Sequence, residues 1–305
     1  LTFDEPTATW TLDTEDGAKL RCRFLVSAMG VLSVPYWPSI PGRDRYQGEA
    51  YHTGQWPKED VTFAGKRVAV IGTGASAVQL IPEVAKEVGE LVVYQRTPNW
   101  NSPLNNGKVS DEEHAQFTET YNEVYDACMN SFAGFMHKPS RQRAFDVTKE
   151  ERWELYEKLY HQKGFAKLIS NFRDTMTNRE ANAEFSEFIA EKIRARVNDP
   201  AVAEKLIPTD HGFGMRRPPM ETGYYEAYNR PNVTLVDLNE TPLVTITERG
   251  IETSDGEREF DMIIWATGFD GFTGALTRIN VVGEDGRVLR DQWSQGVVTY
   301  LGAMV

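Results

Sequence analysis

Cysteine is nearly absent from this chain of 305 residues: only Cys22 and Cys128 occur, and neither belongs to a metal-ligand spacing. Both read as packing residues of a protein kept in a reducing compartment, which makes a cytoplasmic location the expectation. The five histidines, His52, His114, His137, His161 and His211, form no cluster of ligand spacing. No metal site is therefore expected. No apolar run approaches the ~20 residues that a membrane span needs. Positive charge is in deficit, with 33 Lys and Arg against 45 Asp and Glu and a net charge of −12. That balance argues against a nucleic-acid-binding surface and against attraction to anionic lipid. No methionine opens the chain, and no signal peptide is recognisable at its start. The first residues begin partway into a hairpin and Val305 falls inside an apolar run. Both ends read as cut from a longer protein.

What is present is the composition of a globular protein, 40% apolar and 26% charged, with length enough for two domains. One stretch organises the rest. Val68 to Ile71 is a run of apolar and β-branched residues, the mark of a buried parallel strand. Gly72-Thr73-Gly74-Ala75-Ser76-Ala77 follows at once, and Val78 to Ala85 reads as a helix that tolerates Pro82 only in its first turns. Strand, glycine-rich turn and helix form a dinucleotide fingerprint: Gly72 makes the tight turn, Gly74 admits a pyrophosphate, and Ala77 lets helix and strand pack closely. The pyrophosphate would sit on the free N–H groups of the helix start. The next strand, Leu91 to Gln95, decides which dinucleotide. An NAD site wants an acid at its end to bind the ribose 2′-hydroxyl, and this chain has Arg96-Thr97, which suits a 2′-phosphate. A solvated arginine in a turn is the plainer alternative.

Before that unit, Thr7–Leu12 and Leu20–Ser27 alternate around a turn with Asp16-Gly17 at its tip, a hairpin. The second strand runs on through Phe24 to Gly30 as an apolar strand ending in small residues. Pro35, Pro38 and Pro41 make Val31 to Gly42 an extended linker. His52 and Trp56 then stand out chemically, with packing roles as the alternative for each. After the fingerprint, Ser110 N-caps the acidic start Asp111-Glu112-Glu113. From there to about Leu206 the chain is helix-rich. Three aromatic stripes at helical spacing, Phe117/Tyr121/Val124/Tyr125/Cys128, Trp153/Tyr156/Leu159/Tyr160 and Phe185/Phe188/Ile189/Ile193, read as core. Arg216-Arg217 lies in a loop, either as two solvated cations or as part of a site. Glu221 to Tyr228 reads as a short helix and Val233 to Asp237 as a strand. Residues 243–265 then repeat the plan of residues 8–30, a hairpin with an Asp-Gly turn, an apolar strand and Ala266-Thr267-Gly268. Two copies suggest two related nucleotide-binding domains. The second glycine-rich fingerprint is absent and is expected upstream of Leu1.

The segment Tyr46-Gln47-Gly48-Glu49-Ala50-Tyr51-His52-Thr53-Gly54-Gln55-Trp56-Pro57 closely resembles the signature of type I Baeyer–Villiger monooxygenases, with Tyr46 where Phe is usual. Ala266-Thr267-Gly268-Phe269-Asp270 resembles that family's later flavoprotein signature. Arg216-Arg217-Pro218, with Gly223-Tyr224-Tyr225 and Tyr228-Asn229-Arg230, resembles its catalytic-arginine segment, with Arg216 where Lys is usual. The likeness runs over essentially the whole chain and is closest to the cyclohexanone monooxygenase branch.

The resemblance implies an α/β protein with two Rossmann-like domains, the FAD part incomplete here, and a helical insertion in the NADP domain. Residues 1–45 would be the partial FAD domain, 46–57 the signature linker, 58–107 the first part of the NADP domain and 108–206 the insertion. Residues 207–260 would be its second part and 261–305 the FAD return segment. FAD and NADPH are the implied cofactors. NADPH reduces the flavin, O2 gives a C4a-peroxyflavin, and its attack on a ketone yields an ester or lactone. Arg217 is implied as the catalytic cation, suited by a pKa that keeps it charged in an apolar site. Arg96, Thr97 and Arg216 would hold the 2′-phosphate. Gly48, His52, Thr53, Trp56, Pro57 and Asp270 would be signature positions with conformational roles. Two other readings are weighed: a related flavin enzyme that oxidises nitrogen or sulfur, and a non-catalytic NADP-binding fragment. The partners expected are a small ketone and O2, with neither nucleic acid nor membrane.

Overall fold

Residues 1–131 and 134–301 are described by the structure, a computed structural model; Val305 and the three residues before it lie outside them. The chain forms two compact units, one from Leu1–Ser39, His52–Trp56 and the residues from Thr267 on, the other from Ile40–Tyr51 and Pro57–Ala266.

The first unit contains β1 (Thr2–Asp4), β2 (Thr9–Asp13) and β3 (Lys19–Cys22), antiparallel in chain order. Trp10 stands opposite Cys22 and Asp13 opposite Lys19, and Thr14 N donates to Ala18 O at 3.0 Å to close the expected Asp16-Gly17 turn. The strand expected over Phe24 to Gly30 does not form: those residues are irregular, with Phe24 81% and Val26 87% exposed. An apolar run becomes a strand only beside another strand that satisfies its backbone, and no described strand pairs with this one. The proline-punctuated segment is extended as expected, with Tyr36 N donating to Gly268 O and Val34 O accepting from Asp270 N.

The second unit is built on a five-stranded sheet. Its strands are β4 (Glu49–His52), β5 (Arg67–Ile71) and β6 (Glu90–Gln95), then β9 (Val233–Asp237) and β13 (Met262–Trp265), in the order β4-β13-β5-β6-β9. Two-residue strands β7 (Ser102–Pro103) and β8 (Met220–Glu221) form a small parallel pair, and β10 (Leu243–Ile246), β11 (Gly250–Thr253) and β12 (Gly256–Glu259) form an antiparallel meander. β13, β5, β6 and β9 run parallel. Val68, Val70, Leu91, Val93 and Ile264 are fully buried, as continuous apolar runs in a doubly covered parallel sheet must be. Each such side chain contributes about 1.5–3 kcal/mol on burial. The β10–β12 meander repeats the plan of β1–β3 and feeds β13. That strand forms where its counterpart at Phe24–Gly30 does not, because β5 lies beside it.

Helix α1 (Ala75–Val84) starts three residues before Val78. Pro82 is therefore not in the first turns, as the sequence suggests, but in the last. Its missing N–H removes one helical bond in the last turn, and its ring is buried in the core.

The helical segment contains α2 (Asp111–Glu119), α3 (Tyr121–Met129), α4 (Lys149–Tyr160), α5 (Ala166–Ile169), α6 (Arg179–Arg196) and α7 (Pro200–Leu206). The Ser110 hydroxyl accepts from Glu113 N while the Glu113 carboxylate accepts from Ser110 N, a full capping box at the predicted start. The second and third aromatic stripes are core: Tyr156, Phe185 and Phe188 are at most 1% exposed, with the Tyr156 and Phe185 rings 4.8 Å apart. The first stripe is not. Phe117, Tyr121 and Tyr125 are each more than half exposed, because the described residues put nothing over that face of α2 and α3. Helical periodicity gathers apolar side chains on one face but does not supply its cover. In the full chain, Tyr156→Ala should cost about 3–5 kcal/mol in denaturant unfolding, and Tyr125→Ala less than about 0.5. Equal losses would contradict this division. A short helix, α8 (Tyr224–Ala227), lies inside the span expected for one.

Candidate functional site

The sheet order reverses at β5: the chain continues to β6 and β9 on one side and returns to β13 on the other. The crevice at the carboxyl ends of β5 and β13 is the ligand position of such a sheet. The fingerprint turn occupies it. Gly72 has φ +105°, a region closed to most side chains, and its N–H donates to Tyr94 O at 2.9 Å. Ala266 closes the other side, its N–H donating to Ile71 O at 2.9 Å. Thr73 is buried, with its hydroxyl 3.4 Å from Thr97 O. Ala77 is fully buried, which lets α1 lie close against the sheet.

Gly74 is different. Its φ of −77° suits any residue, and a Cβ there would meet no protein atom within 4 Å. The protein does not need a glycine at this place for its own packing. Gly74, Ala75 and Ser76 are exposed, and no side chain caps α1. Open space in front of uncapped helical N–H groups fits a diphosphate.

Arg96 follows β6. It is exposed, and its side chain makes no hydrogen bond or ion pair with another described residue. Its carbonyl accepts from Asn239 Nδ2 at 2.6 Å, which steadies the loop. Arg216 is exposed too, with Nη2 2.9 Å from Asp210 Oδ2. The Arg217 side chain is exposed, while its carbonyl accepts from Asn99 Nδ2 at 3.2 Å. Asn99 stands three residues after Arg96, so this bond joins the two arginine-bearing loops. The β7–β8 pair continues the join, with Ser102 opposite Met220. Asn99, Asp210, His211 and Asn239 were not singled out from sequence. The adjacent Asp210-His211 just before Arg216 was the one local signal for them.

The signature residues have close partners within the first unit. His52 is 2% exposed, its ring 4.9 Å from Trp37 and 6.2 Å from Phe269. Burial holds its pKa below the ordinary value. Nδ1 accepts from Gly54 N at 3.0 Å, Nε2 lies 3.3 Å from Thr267 Oγ1, and the Thr267 hydroxyl donates to Tyr36 O at 2.6 Å. A Cβ on Gly54 would lie 2.6 Å from the Phe269 ring, which would have to move to admit one. In the second unit, Gly48 is crowded by the Tyr46 ring, which is held in place by its hydroxyl donating to Phe260 O at 2.8 Å. Thr53 and Pro57 are half-buried, and Trp56 is 37% exposed. Asp270 donates its N–H to Val34 O. Gly268 has φ +79° with open space around it. Among the described residues, no group of three His, Cys, Asp or Glu is placed to hold a metal, and no helix is long and apolar enough to cross a membrane.

Strand order, turn and helix terminus define a Rossmann-type dinucleotide-binding domain. Residues 4–213 match the family described as pyridine nucleotide-disulphide oxidoreductase, and the chain belongs to that family. Its relatives bear out the resemblance to type I Baeyer–Villiger monooxygenases. It is 46% identical over 298 residues to 2-oxo-Delta(3)-4,5,5-trimethylcyclopentenylacetyl-CoA monooxygenase of Pseudomonas putida, covering 96% of this chain and 54% of that protein. It is 41% identical over 302 residues to cyclopentanone 1,2-monooxygenase of a Comamonas species, covering 98% and 55%. The crystal structure of OTEMO in complex with FAD and NADP superposes with a TM-score of 0.95 at 44% identity, over 99% of this chain and 58% of that one. The chain thus spans little more than half the length of these relatives.

Proposed function

We propose that the full protein is an NADPH- and FAD-dependent Baeyer–Villiger monooxygenase that inserts one atom of O2 beside a ketone carbonyl. Ketone, O2, NADPH and a proton become ester or lactone, NADP⁺ and water. The observation that carries this reading is the Asn99 bond, which ties the loop after Arg96 to the loop of Arg216 and Arg217. It supports a reading in which Arg96 would select the cofactor close to a permanent cation at Arg217.

NADPH would be held at Gly72, Thr73, Gly74, Ala75, Ser76 and Ala77, with Arg96, Thr97 and Arg216 on the 2′-phosphate. Arg217 is then the catalytic cation, its guanidinium able to stabilise the oxyanion of a tetrahedral adduct without losing its proton. Ala266, Thr267 and Gly268 would hold part of FAD, where the open, left-handed Gly268 backbone fits close approach of a ligand. Bound flavin, reduced by NADPH, supplies the activated oxygen. Residues 1–39 and those from Thr267 on would make up the FAD side and 57–107 with 207–266 the NADP side, so that β13, which the sequence reading of 261–305 assigns to the FAD side, goes with the NADP sheet beside β5; 108–206 would be the insertion. The linker 46–57, with Gly48, His52, Thr53, Trp56 and Pro57, and Asp270 beyond it, would order the cofactors without reacting. The free thiols of Cys22 and Cys128 accord with a cytoplasmic location.

The full-length protein tests this reading directly. A bound-flavin absorbance spectrum and NADPH oxidation that quickens on adding a cyclic ketone are the expected result. No bound flavin, or stimulation only by amines or sulfides, would overturn it.

A further inference from the structure

We propose that His211 is a positioning residue for the arginine pair, coupling the side chain that holds Arg216 to the one that holds Arg217. This rests on the function proposed above.

His211 opens the loop that ends in the two arginines, yet its side chain is only 8% exposed. Its carbonyl accepts from Trp100 Nε1 at 2.8 Å, and Trp100 is 3% exposed, so the main chain here is fixed to the core. The ring spans two partners. Nδ1 lies 2.6 Å from Asp210 Oδ1, and Asp210 Oδ2 accepts from Arg216 Nη2 at 2.9 Å. Nε2 lies 3.3 Å from Asn99 Oδ1, and Asn99 Nδ2 donates to Arg217 O at 3.2 Å. The chain of contacts therefore runs from the Arg216 guanidinium through Asp210, His211 and Asn99 to the Arg217 backbone. Both ring nitrogens face oxygens.

The two arms do different work. The Asp210 arm sets where the Arg216 guanidinium stands, and Arg216 would read the 2′-phosphate. The Asn99 arm sets the main chain from which the Arg217 side chain projects, and so its aim. Misplacement of a reacting or stabilising group by ~1 Å can cost on the order of a hundredfold in rate, so such an arm matters at a distance from the chemistry.

Asparagine and glutamine separate the arms. The amide nitrogen of Asn falls where Nδ1 stands, and that of Gln where Nε2 stands. In the full-length flavin-bound protein, His211→Gln keeps the Asn99 arm. It should raise the Michaelis constant for NADPH about tenfold, the worth of one hydrogen bond to a charged group, with turnover and ester yield per NADPH retained. His211→Asn keeps the Asp210 arm. It should leave that Michaelis constant near the parent value while ester per NADPH falls several-fold and hydrogen peroxide takes its place. Asn99→Ala should repeat the His211→Asn pattern by an independent change. Parallel losses in both variants, or no change in either, overturn the proposal. Two controls separate it from the reading beneath. If Arg96→Ala leaves the preference for NADPH over NADH intact and Arg217→Ala still makes ester, the reading fails and this proposal with it. If both controls behave as expected and the His211 variants do not cross, the coupling role alone fails.

Discussion

Arg217→Ala in the full-length protein should go on oxidising NADPH and stop making ester. Ester formation should fall by roughly 10²–10³, the usual cost of removing one group that stabilises developing negative charge. The oxidised NADPH should then appear as hydrogen peroxide. Parallel assays of NADPH loss, peroxide and ester check this, and ester formation at the parent rate would remove Arg217 from the chemistry. The geometry gives the reason for expecting such a division. The Arg217 carbonyl is held by Asn99, while its guanidinium is exposed and forms no ion pair with another described residue. Losing the guanidinium leaves the loop's backbone bond in place, so the dinucleotide pocket keeps its shape. Arg217→Lys should recover only part of the activity, since an ammonium keeps the charge but lacks the planar fork.

Gly74→Asp should produce opposite changes in stability and binding. Gly74 is the N-cap of α1, has an ordinary φ, and has room for a Cβ. Aspartate is among the best N-cap residues and its charge favours a helix N-terminus. The melting temperature should therefore hold or rise. The same carboxylate would stand where the diphosphate belongs. Two unit charges ~4 Å apart at a protein surface repel by about 4 kcal/mol, so NADPH affinity should fall by roughly a thousandfold. Thermal melts and an NADPH titration on one preparation read both effects. A variant that melts several degrees lower would mean that Gly74 serves the fold and not a ligand.

The parts of this molecule that were legible in the sequence are those whose signals are local. β5, the Gly72 turn, α1 and β6 are written in about thirty consecutive residues, and each carries its own cue. The capping box at Ser110 lies within four. The illegible parts depend on a partner distant in sequence. Phe24–Gly30 and Met262–Trp265 share one pattern, but only the second has a strand beside it, β5, nearly two hundred residues earlier. The stripe on α2 and α3 has the same periodicity as that on α6, yet only α6 is covered. Pro82 is deceptive in the sequence because the large apolar residues begin only at Val78, whereas the helix begins three residues earlier, after uncapped Gly74. The contact between Asn99 and His211 spans 112 positions and involves two residue types that are common in loops. Neither residue carried a pattern that could announce the other.

The bonds around His52 have a direction. Because Nδ1 accepts from the Gly54 backbone, the ring proton sits on Nε2 and points to the Thr267 hydroxyl, which points in turn to the Tyr36 carbonyl. A carbonyl has no proton to pass on, and an amide N–H does not give its proton up. The chain is thus a wire closed at both ends, able to hold a shape but not to carry current. His52 is a clasp: exchanging its proton would require breaking the very contacts that keep Tyr36, Gly54 and Thr267 together.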